Sequence, residues 1–461
     1  MRQWHELGLR ELAEEVASGR TRAVDVAAHF VDRVAGLNPA LNAIVRFDRQ
    51  RVLEEAAAVD RRVADGAALP LAGVPFTVKD NLWVEGYRIA QGSRLFEDFV
   101  APRDAWVVAR LRELGGVMLG ITNCPEFACK GVTNSPLHGA TRHPLDPRLT
   151  PGGSSGGAVA ALAQGLGLVA VGTDAGGSTR RPAAHCGLVG LKPSAGTIPH
   201  PWGFAEPNFG FSVIGLMTRQ VADAALLFEL LARYDAGDPA GVPILYETGW
   251  VDAPLRATDG LRVAWSPGLG CGFAMDDDVR EAFARRIQAL RAAGWRIADA
   301  DPVWPPGVHE YPLVALQQAG LYRLYGERLA AERERIDPDL VAQIEAGARH
   351  GPAVIAAALR LQEGIRGAMA RFFESWDVLL CPAAPVTAWP LAEPYPATIG
   401  GRPATSRGHA AFTPLFNYAG VPACAVPAGS VRGLPVGLQV VAPRFEDARA
   451  LRMAAVIEAL G

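Results

Sequence analysis

The segment Pro151-Gly152-Gly153-Ser154-Ser155-Gly156-Gly157, an apolar run of small residues, and then Gly172-Thr173-Asp174-Ala175-Gly176-Gly177-Ser178-Thr179-Arg180-Arg181-Pro182 together decide how this chain is read. Two glycine-serine clusters joined by a buried-looking stretch point to a reaction centre made of backbone amides and hydroxyls. Glycine adopts positive φ and lets a substrate approach the main chain closely, a freedom that an ordinary loop has no reason to use twice. Ser154, Ser155 and Ser178 are therefore the first catalytic candidates. The surrounding pattern is a helix over 156–164 and a strand over 167–171, which delivers residues 173–178 at its carboxyl end, where ligands of α/β sheets bind.

Lysine usage supplies the partner. Of 45 basic residues only Lys79, Lys130 and Lys192 are lysine, and the other 42 are arginine. A guanidinium serves solubility as well as an ammonium does, but it cannot be deprotonated, whereas a desolvated lysine becomes a neutral base. Lys79 is the candidate base, because it ends the strand-like Gly73-Val74-Pro75-Phe76-Thr77-Val78 and precedes Asp80-Asn81. Lys130 is expected on the surface, and Lys192, before Pro193, is expected to cap a turn.

Other chemistries fit the segment poorly. A phosphate loop needs a lysine after its second glycine, but Ala158-Val159 follows Gly156-Gly157, and Gly165-Leu166-Gly167 completes no dinucleotide fingerprint. Gly153-Ser154-Ser155-Gly156-Gly157 formally matches a nucleophile elbow, yet the preceding 141–150 is polar, with Pro144 and Pro147, where that elbow requires a hydrophobic strand. A serine, serine and lysine reading remains. Here 150–194 resembles the signature of the amidase signature family. The resemblance extends to Gly73 through Asn81, to Thr122-Asn123-Cys124-Pro125-Glu126-Phe127, to Gly187-Leu188-Val189-Gly190-Leu191-Lys192-Pro193 and to Gly433-Leu434-Pro435-Val436-Gly437-Leu438-Gln439. Only about 240–375 looks individual.

That resemblance implies an amide hydrolase with a Ser-cisSer-Lys triad. Ser178 is its nucleophile, Ser154 its relay after a cis Gly153–Ser154 bond, and Lys79 its base. The oxyanion is expected on the amides of Ala175, Gly176, Gly177 and Ser178, donors held in a glycine turn. Neither metal nor cofactor is expected. Arg181, after the structural Arg180, has two readings: it binds a substrate carboxylate, as in malonamidase-like relatives, or it pairs internally with Asp174 or Glu126. His185 is the rival base, although relatives often carry an aromatic residue there, which favours packing. Two alternatives stay open. One is the glutamine-hydrolysing subunit of a tRNA-dependent amidotransferase, against which Arg181 stands where glutamine is expected and Ser194-Ala195-Gly196-Thr197 replaces Thr-Tyr-Gly-Arg. The other is a non-catalytic binding protein on the same fold, against which stand the intact Ser154, Ser178 and Lys79.

The whole chain bounds these readings. Its 461 residues contain no linker-like stretch, and 49% hydrophobic with 20% charged residues allow a substantial core. One large α/β domain is expected over 1–461, a mixed twisted sheet covered by helices on both faces. Its catalytic core spans about 70–235, and a helix-rich region over about 240–375 shapes the substrate entrance together with 382–403. A net charge of -3 gives no reason to expect nucleic acid. Glu6, Arg10, Glu11 and Glu14 stand where a signal peptide needs an apolar run, and the apolar 158–171 is too short to cross a bilayer. A cytoplasmic enzyme acting on a small-molecule amide follows, with no membrane partner and with a homodimer left open. Cys124, Cys129, Cys186, Cys271, Cys381 and Cys424 form no metal-binding spacing and read as reduced, mostly buried thiols.

Periodicity places helices near 9–19, from Thr21 as N-cap through Val24, Ala27, Val31 and Val34, and over 49–64, 104–114, 221–233, 278–293, 312–335, 353–376 and beyond 446. Strands are expected over 117–121, 261–265, 377–381, 423–426 and 436–441.

Overall fold

The computed structural model describes residues 3–243 and 260–460. Among these, eleven strands form one sheet: β1 (Ile44–Arg46), β2 (Pro75–Lys79), β3 (Val117–Thr122), β4 (Val169–Asp174), β5 (Val189–Lys192), β6 (Val213–Thr218), β7 (Val263–Trp265), β8 (Ile297–Asp299), β9 (Val378–Pro382), β10 (Ala423–Val431) and β11 (Leu434–Val441). Their spatial order is β1-β3-β2-β4-β6-β5-β10-β11-β9-β7-β8. The sheet is mixed. On one flank β2 runs parallel to β3 and β4, on the other β7 runs parallel to β8 and β9, and the neighbours from β4 across to β9 are antiparallel.

The helices around it are α1 (Leu9–Ala17), α2 (Ala23–Leu41), α3 (Arg49–Ala64), α4 (Trp106–Glu113), α5 (Gly156–Ala163), α6 (Arg180–Cys186), α7 (Val221–Leu231), α8 (Asp277–Ala292), α9 (Val314–Tyr325), α10 (Leu329–Glu332), α11 (Pro338–Ala348), α12 (Pro352–Ser375), α13 (Pro414–Tyr418) and α14 (Asp447–Glu458). Helices flank the sheet on both faces, and one hydrophobic core runs continuously through sheet and helices, which makes this a large single-domain α/β fold. No helix among the described residues is long and apolar enough to cross a membrane. Of the region expected to be individual, 244–259 lies outside the described residues.

Most expected elements are present, and the departures have local causes. Thr21 does not cap α2. The helix begins after Arg22, and the Asp60 carboxylate of α3 accepts from the amides of Ala23 (2.6 Å) and Val24 (3.2 Å) in its place. The single helix expected over 312–335 is broken, because α9 ends at Gly326, a poor helix former, and only short turns follow. Helix α11 follows as a separate element. Asp337 accepts from the Asp339 amide at 3.0 Å with Pro338 in the first turn, a helix start written in side-chain chemistry rather than periodicity. Strands β5 and β6 are short, glycine-containing apolar runs, which period-2 reading does not separate from buried helix.

Candidate active site

Parallel pairing of β2 with β4, in register at Val78 and Val171, sets their carboxyl ends side by side. Lys79 ends β2 and Asp174 ends β4, both without exposed surface. Gly172 lies close against them, where a Cβ would stand 3.0 Å from Ser155 Oγ and 3.3 Å from Lys79 Cδ, tight enough that these side chains would have to shift. Lys79 Nζ is hydrogen-bonded to Ser154 Oγ at 2.7 Å and to Ser155 Oγ at 3.0 Å. Burial drives the Lys79 pKa down to about 8, against the opposing influence of the Cys124 thiol and the Asp174 carboxylate. The Gly153–Ser154 peptide bond is cis, as the resemblance implies.

Asp174 builds the second turn. Its carboxylate accepts from the amides of Gly177 (2.7 Å) and Thr179 (3.1 Å), from Arg180 Nε (3.1 Å) and Nη2 (3.0 Å), and from Asn417 Nδ2 (2.9 Å). Burial alone would raise this carboxyl's pKa, but the Arg180 charge beside it holds it well below the usual carboxylate range. Arg180 reaches onward to Thr413 O (3.1 Å) and Gln439 Oε1 (2.9 Å), so the turn is tied to distant parts of the chain. The Ser155 amide donates to Ser178 O at 3.2 Å, which joins the two serine turns directly. Gly177 has φ +105°, and a Cβ on it would stand 2.1 Å from Thr413 Oγ1.

These bonds correct the expected oxyanion set. The Gly177 amide already points at Asp174, whereas the amides of Ala175, Gly176 and Ser178 have no protein partner among the described residues. Ser154 and Ser178 line one narrow cleft, together with Asn81, Gln91, Phe127, Phe204 and Asn208. Ser155 does not line it. Its hydroxyl is turned to Lys79 and Gly172 beneath the turn.

Of the two readings of Arg181, the internal pairing with Asp174 or Glu126 gives way to backbone contacts. Its Nη1 donates to Gly176 O and, at 2.9 Å, to Thr413 Oγ1, and its Nη2 donates to Gly153 O at 3.4 Å. Asp174 is occupied by Arg180, and Glu126 accepts from Ser93 Oγ (2.5 Å) and the Asp337 amide (2.6 Å), so neither carboxylate pairs with Arg181. The buried guanidinium instead clamps a carbonyl from each serine turn. Burial, first among its causes, lowers the Arg181 pKa to about 10.

The other candidates are placed plainly. Lys130 is not a surface residue: 15% exposed, it pairs with Asp337 (2.6 Å) and Asp339 (2.9 Å). Lys192 is buried and donates to Pro193 O at 2.8 Å, with its pKa lowered to about 7, first by burial and then by Arg180. His185 packs edge-on to Trp389 at 5.5 Å, and burial pushes its pKa to about 3. The cysteines are free thiols, buried except for the partly exposed Cys271. Sequence reasoning misses Thr413, Asn417 and Tyr311, since they enter from more than a hundred residues away and carry no local signature.

Known proteins align with this geometry along nearly the whole chain. Residues 25–451 match the Amidase family. An acylamidase of Rhodococcus erythropolis is 36% identical over 479 residues, covering 99% of this chain and 96% of its own. A glutamyl-tRNA(Gln) amidotransferase subunit from Heliobacterium modesticaldum is 31% identical, covering 97% of this chain and 95% of its own. Among solved structures, a bacterial aryl acylamidase of the amidase signature enzymes superposes with a TM-score of 0.89 at 27% identity, covering 99% of this chain and 96% of that one.

Proposed function

Given that the chain belongs to the amidase family, hydrolases that act on amide bonds, we propose that it cleaves a carboxamide through an acyl-enzyme on Ser178, with Ser154 as relay and Lys79 as base. One observation carries the reading: a fully buried lysine hydrogen-bonded to Ser154, which shares a cleft wall with Ser178. With a pKa of about 8, roughly a tenth of Lys79 is uncharged at pH 7, enough for a working base. The neutral amine takes the Ser154 proton as Ser154 takes that of Ser178. Ser178 Oγ bonds to the carbonyl carbon, and the oxyanion accepts from the amides of Ala175, Gly176 and Ser178. Collapse breaks the C–N bond, and the amine leaves with the proton returned through Ser154. Water then repeats the sequence on the ester, releasing the acid and freeing Ser178. The scheme needs neither metal nor cofactor.

Arg181 is a positioning residue in this scheme, holding the carbonyls of Gly153 and Gly176 so that both serines keep their places. Residues of the individual region, Tyr311 and Gln317 among them, shape the substrate side together with 382–403. Labelling with a fluorophosphonate followed by peptide mass mapping tests the nucleophile. Modification of Ser178, absent in Ser178→Ala, is expected, and amide hydrolysis by an enzyme whose Ser178 stays unmodified would overturn the assignment.

A second reading, a glutamine-hydrolysing subunit, is favoured by the Heliobacterium relative. Arg181 and Ser194-Ala195-Gly196-Thr197 weigh against it. Hydrolysis of simple amides by the isolated chain supports the first reading, whereas glutamine hydrolysis that appears only with a co-purifying partner supports the second. Size-exclusion chromatography of the same samples reports any homodimer.

A further inference from the structure

The hydrogen bonds that commit Arg181 to the backbone leave another guanidinium near the Ser178 turn without a carboxylate partner among the described residues. Arg407 Nη2 donates to Gln317 Oε1 at 3.2 Å and to Gln343 Oε1 at 3.0 Å, and both acceptors are neutral amides. Its Cζ stands 4.8 Å from the centre of the Tyr311 ring. The Tyr311 hydroxyl in turn lies against Gly176, where an added Cβ would come within 2.6 Å of it. One tyrosine therefore separates Arg407 from the turn that carries Ser178.

Arg407 lines a second cleft of 440 Å³, with Lys130, Gly131, Gln343, Tyr395 and His409. This cleft and the reaction cleft are lined by successive residues of one stretch of chain. Phe127 and Ala128 face the reaction cleft, whereas Cys129, Lys130 and Gly131, next in the chain, face the second. Gln317 sits at the seam, donating to Asn208 Oδ1 of the reaction cleft at 3.2 Å while accepting from Arg407.

The second cleft also carries a carboxylate, Asp339, whose ion pair is with Lys130. Lys130 is held by Asp337 and Asp339, and Glu310, on the approach to Tyr311, accepts from Thr405 Oγ1. His409 is 2% exposed with both ring nitrogens unpartnered, and burial, together with the charges of Arg181 and Arg407, keeps it neutral. A neutral imidazole carries one N–H donor, and a guanidinium offers a planar fork matched to a carboxylate. A guanidinium held only by neutral amides, in one cleft lining with an unused donor, is a site that a carboxylate ligand completes.

We propose that Arg407 is a specificity-determining residue, binding a carboxylate that the acyl chain carries a few carbons from the scissile carbonyl, with His409 as a second donor. The second cleft holds that part of the acyl chain. This assignment rests on the acyl-enzyme reading and deepens it by naming the substrate class: monoamides of dicarboxylic acids. Carboxylate recognition thus moves from Arg181, where the sequence suggested it, to a residue more than two hundred positions away.

The test compares kcat/KM for succinamate, glutaramate and adipamate with the uncharged isosteres butyramide, pentanamide and hexanamide. At least one acid is expected to exceed its isostere about tenfold, mainly through KM, as suits a hydrogen-bonded charge pair. Arg407→Gln should bring that ratio near one, and Arg407→Lys should restore part of it. A ratio near one at all three lengths in the native enzyme, or an unchanged ratio in Arg407→Gln, overturns the proposal. If Arg407→Gln is inactive on every amide, Arg407→Lys decides: a ratio above one supports the assignment and a ratio of one overturns it. Fluorophosphonate labelling separates the two levels. Labelling of Ser178 that glutarate slows in the native enzyme but not in Arg407→Gln supports the proposal. Labelling that glutarate leaves unslowed overturns it and spares the acyl-enzyme, and failure of Ser178 to label removes both.

Discussion

Between Thr150 and Pro193 nearly every side chain is small or buried, and two glycine-rich turns hold Ser154, Ser155 and Ser178. Helices α5 and α6 are apolar or buried on all sides, so no face of this segment answers to solvent. Between Tyr311 and Ala348 the chain is built differently. Helices α9 and α11 bury one face only, Leu316, Gln317, Gly320 and Leu321 on one and Leu340, Val341 and Ile344 on the other, and they reach the site through long side chains. A small core of Leu95, Phe127, Cys129, Leu321, Tyr325, Leu340 and Ile344 fastens this layer to the cleft wall. The first region leaves little room for change, because a Cβ added at Gly153, Gly156, Gly157, Gly176, Gly177 or Gly190 would come within 3 Å of a neighbouring atom. The second changes its outer face freely and its cleft-facing side chains one at a time, which is how one chemistry is fitted to different substrates.

The strongest attempt to break this division removes the base. Lys79→Ala and Lys79→Arg should both lose about a thousandfold or more in kcat, the upper part of the range for general base catalysis. Arginine keeps the charge but cannot give up its proton. The native pH profile follows from the same group. Only the deprotonated lysine accepts a proton, and its pKa is lowered from 10.5 to about 8, so kcat/KM should rise with pH and level off above about 8. Near-native turnover by Lys79→Arg, or a rate that falls as pH rises through 8, would remove Lys79 from the chemistry.

A pair of glycines sharpens the comparison. Gly177→Ala places a Cβ 2.1 Å from Thr413 Oγ1 at a φ of +105°, so the turn must shift and the oxyanion donors with it. A fall in kcat of roughly 100-fold to 1000-fold is expected, the scale of a lost oxyanion donor. Gly320→Ala puts a Cβ 1.9 Å from the Pro207 carbonyl oxygen, displacing the 204–208 segment that lines the reaction cleft. Its expected signature is a KM raised about tenfold with a smaller change in kcat. Steady-state kinetics on one amide checks both, and equal losses of kcat would erase the distinction between the regions.

The same contrast explains what the sequence made legible. Helix α3 and strands β2, β3 and β9 follow from apolar period and end residues, because their burial is decided by neighbours in the chain. Lys79, Ser154 and Ser178 stood out through glycine clustering and the scarcity of lysine, both local properties. The partners that orient them did not. Asn417 and Thr413 reach the Ser178 turn from α13 and its approach, and Tyr311 reaches it from ahead of α9. No short pattern records contacts that only the folded chain brings together. The fate of the Gly177 amide was hidden for a related reason, since whether it meets substrate or Asp174 depends on a few degrees of turn geometry.

Arg181 tests whether the two serine turns act as one unit. Arg181→Met removes the donors to Gly153 O, Gly176 O and Thr413, and a loss of roughly 10-fold to 100-fold is expected, as for deletion of hydrogen bonds from a charged group. The loss should be equal on carboxylated and neutral amides. The Arg181 charge also lowers the Lys79 pKa, so the rising inflection of the pH profile should move to higher pH in this variant, which a packing defect alone would not produce. A loss confined to carboxylated amides would return Arg181 to substrate recognition.

The smallest effect is expected within the signature region itself, at His185. Its ring is buried, with 1% of the residue exposed, edge-on to Trp389 and with Nε2 unpartnered. Its backbone carbonyl, not its ring, bonds His143 Nε2 at 2.9 Å. With burial holding its pKa at about 3, the imidazole stays neutral throughout the working range and binds a proton too weakly to serve as base. His185→Phe keeps a flat ring against Trp389 and removes the unpartnered nitrogen. Turnover should stay within about threefold of native, since this is a near-isosteric core exchange. Stability should be unchanged or higher by up to about 1 kcal/mol, the scale of relieving one unsatisfied polar atom. The inflection set by Lys79 should remain in the pH profile. Loss of that inflection together with a hundredfold fall in kcat would make His185 the base, and would mean that burial in this segment does not by itself separate the groups that react from those that pack.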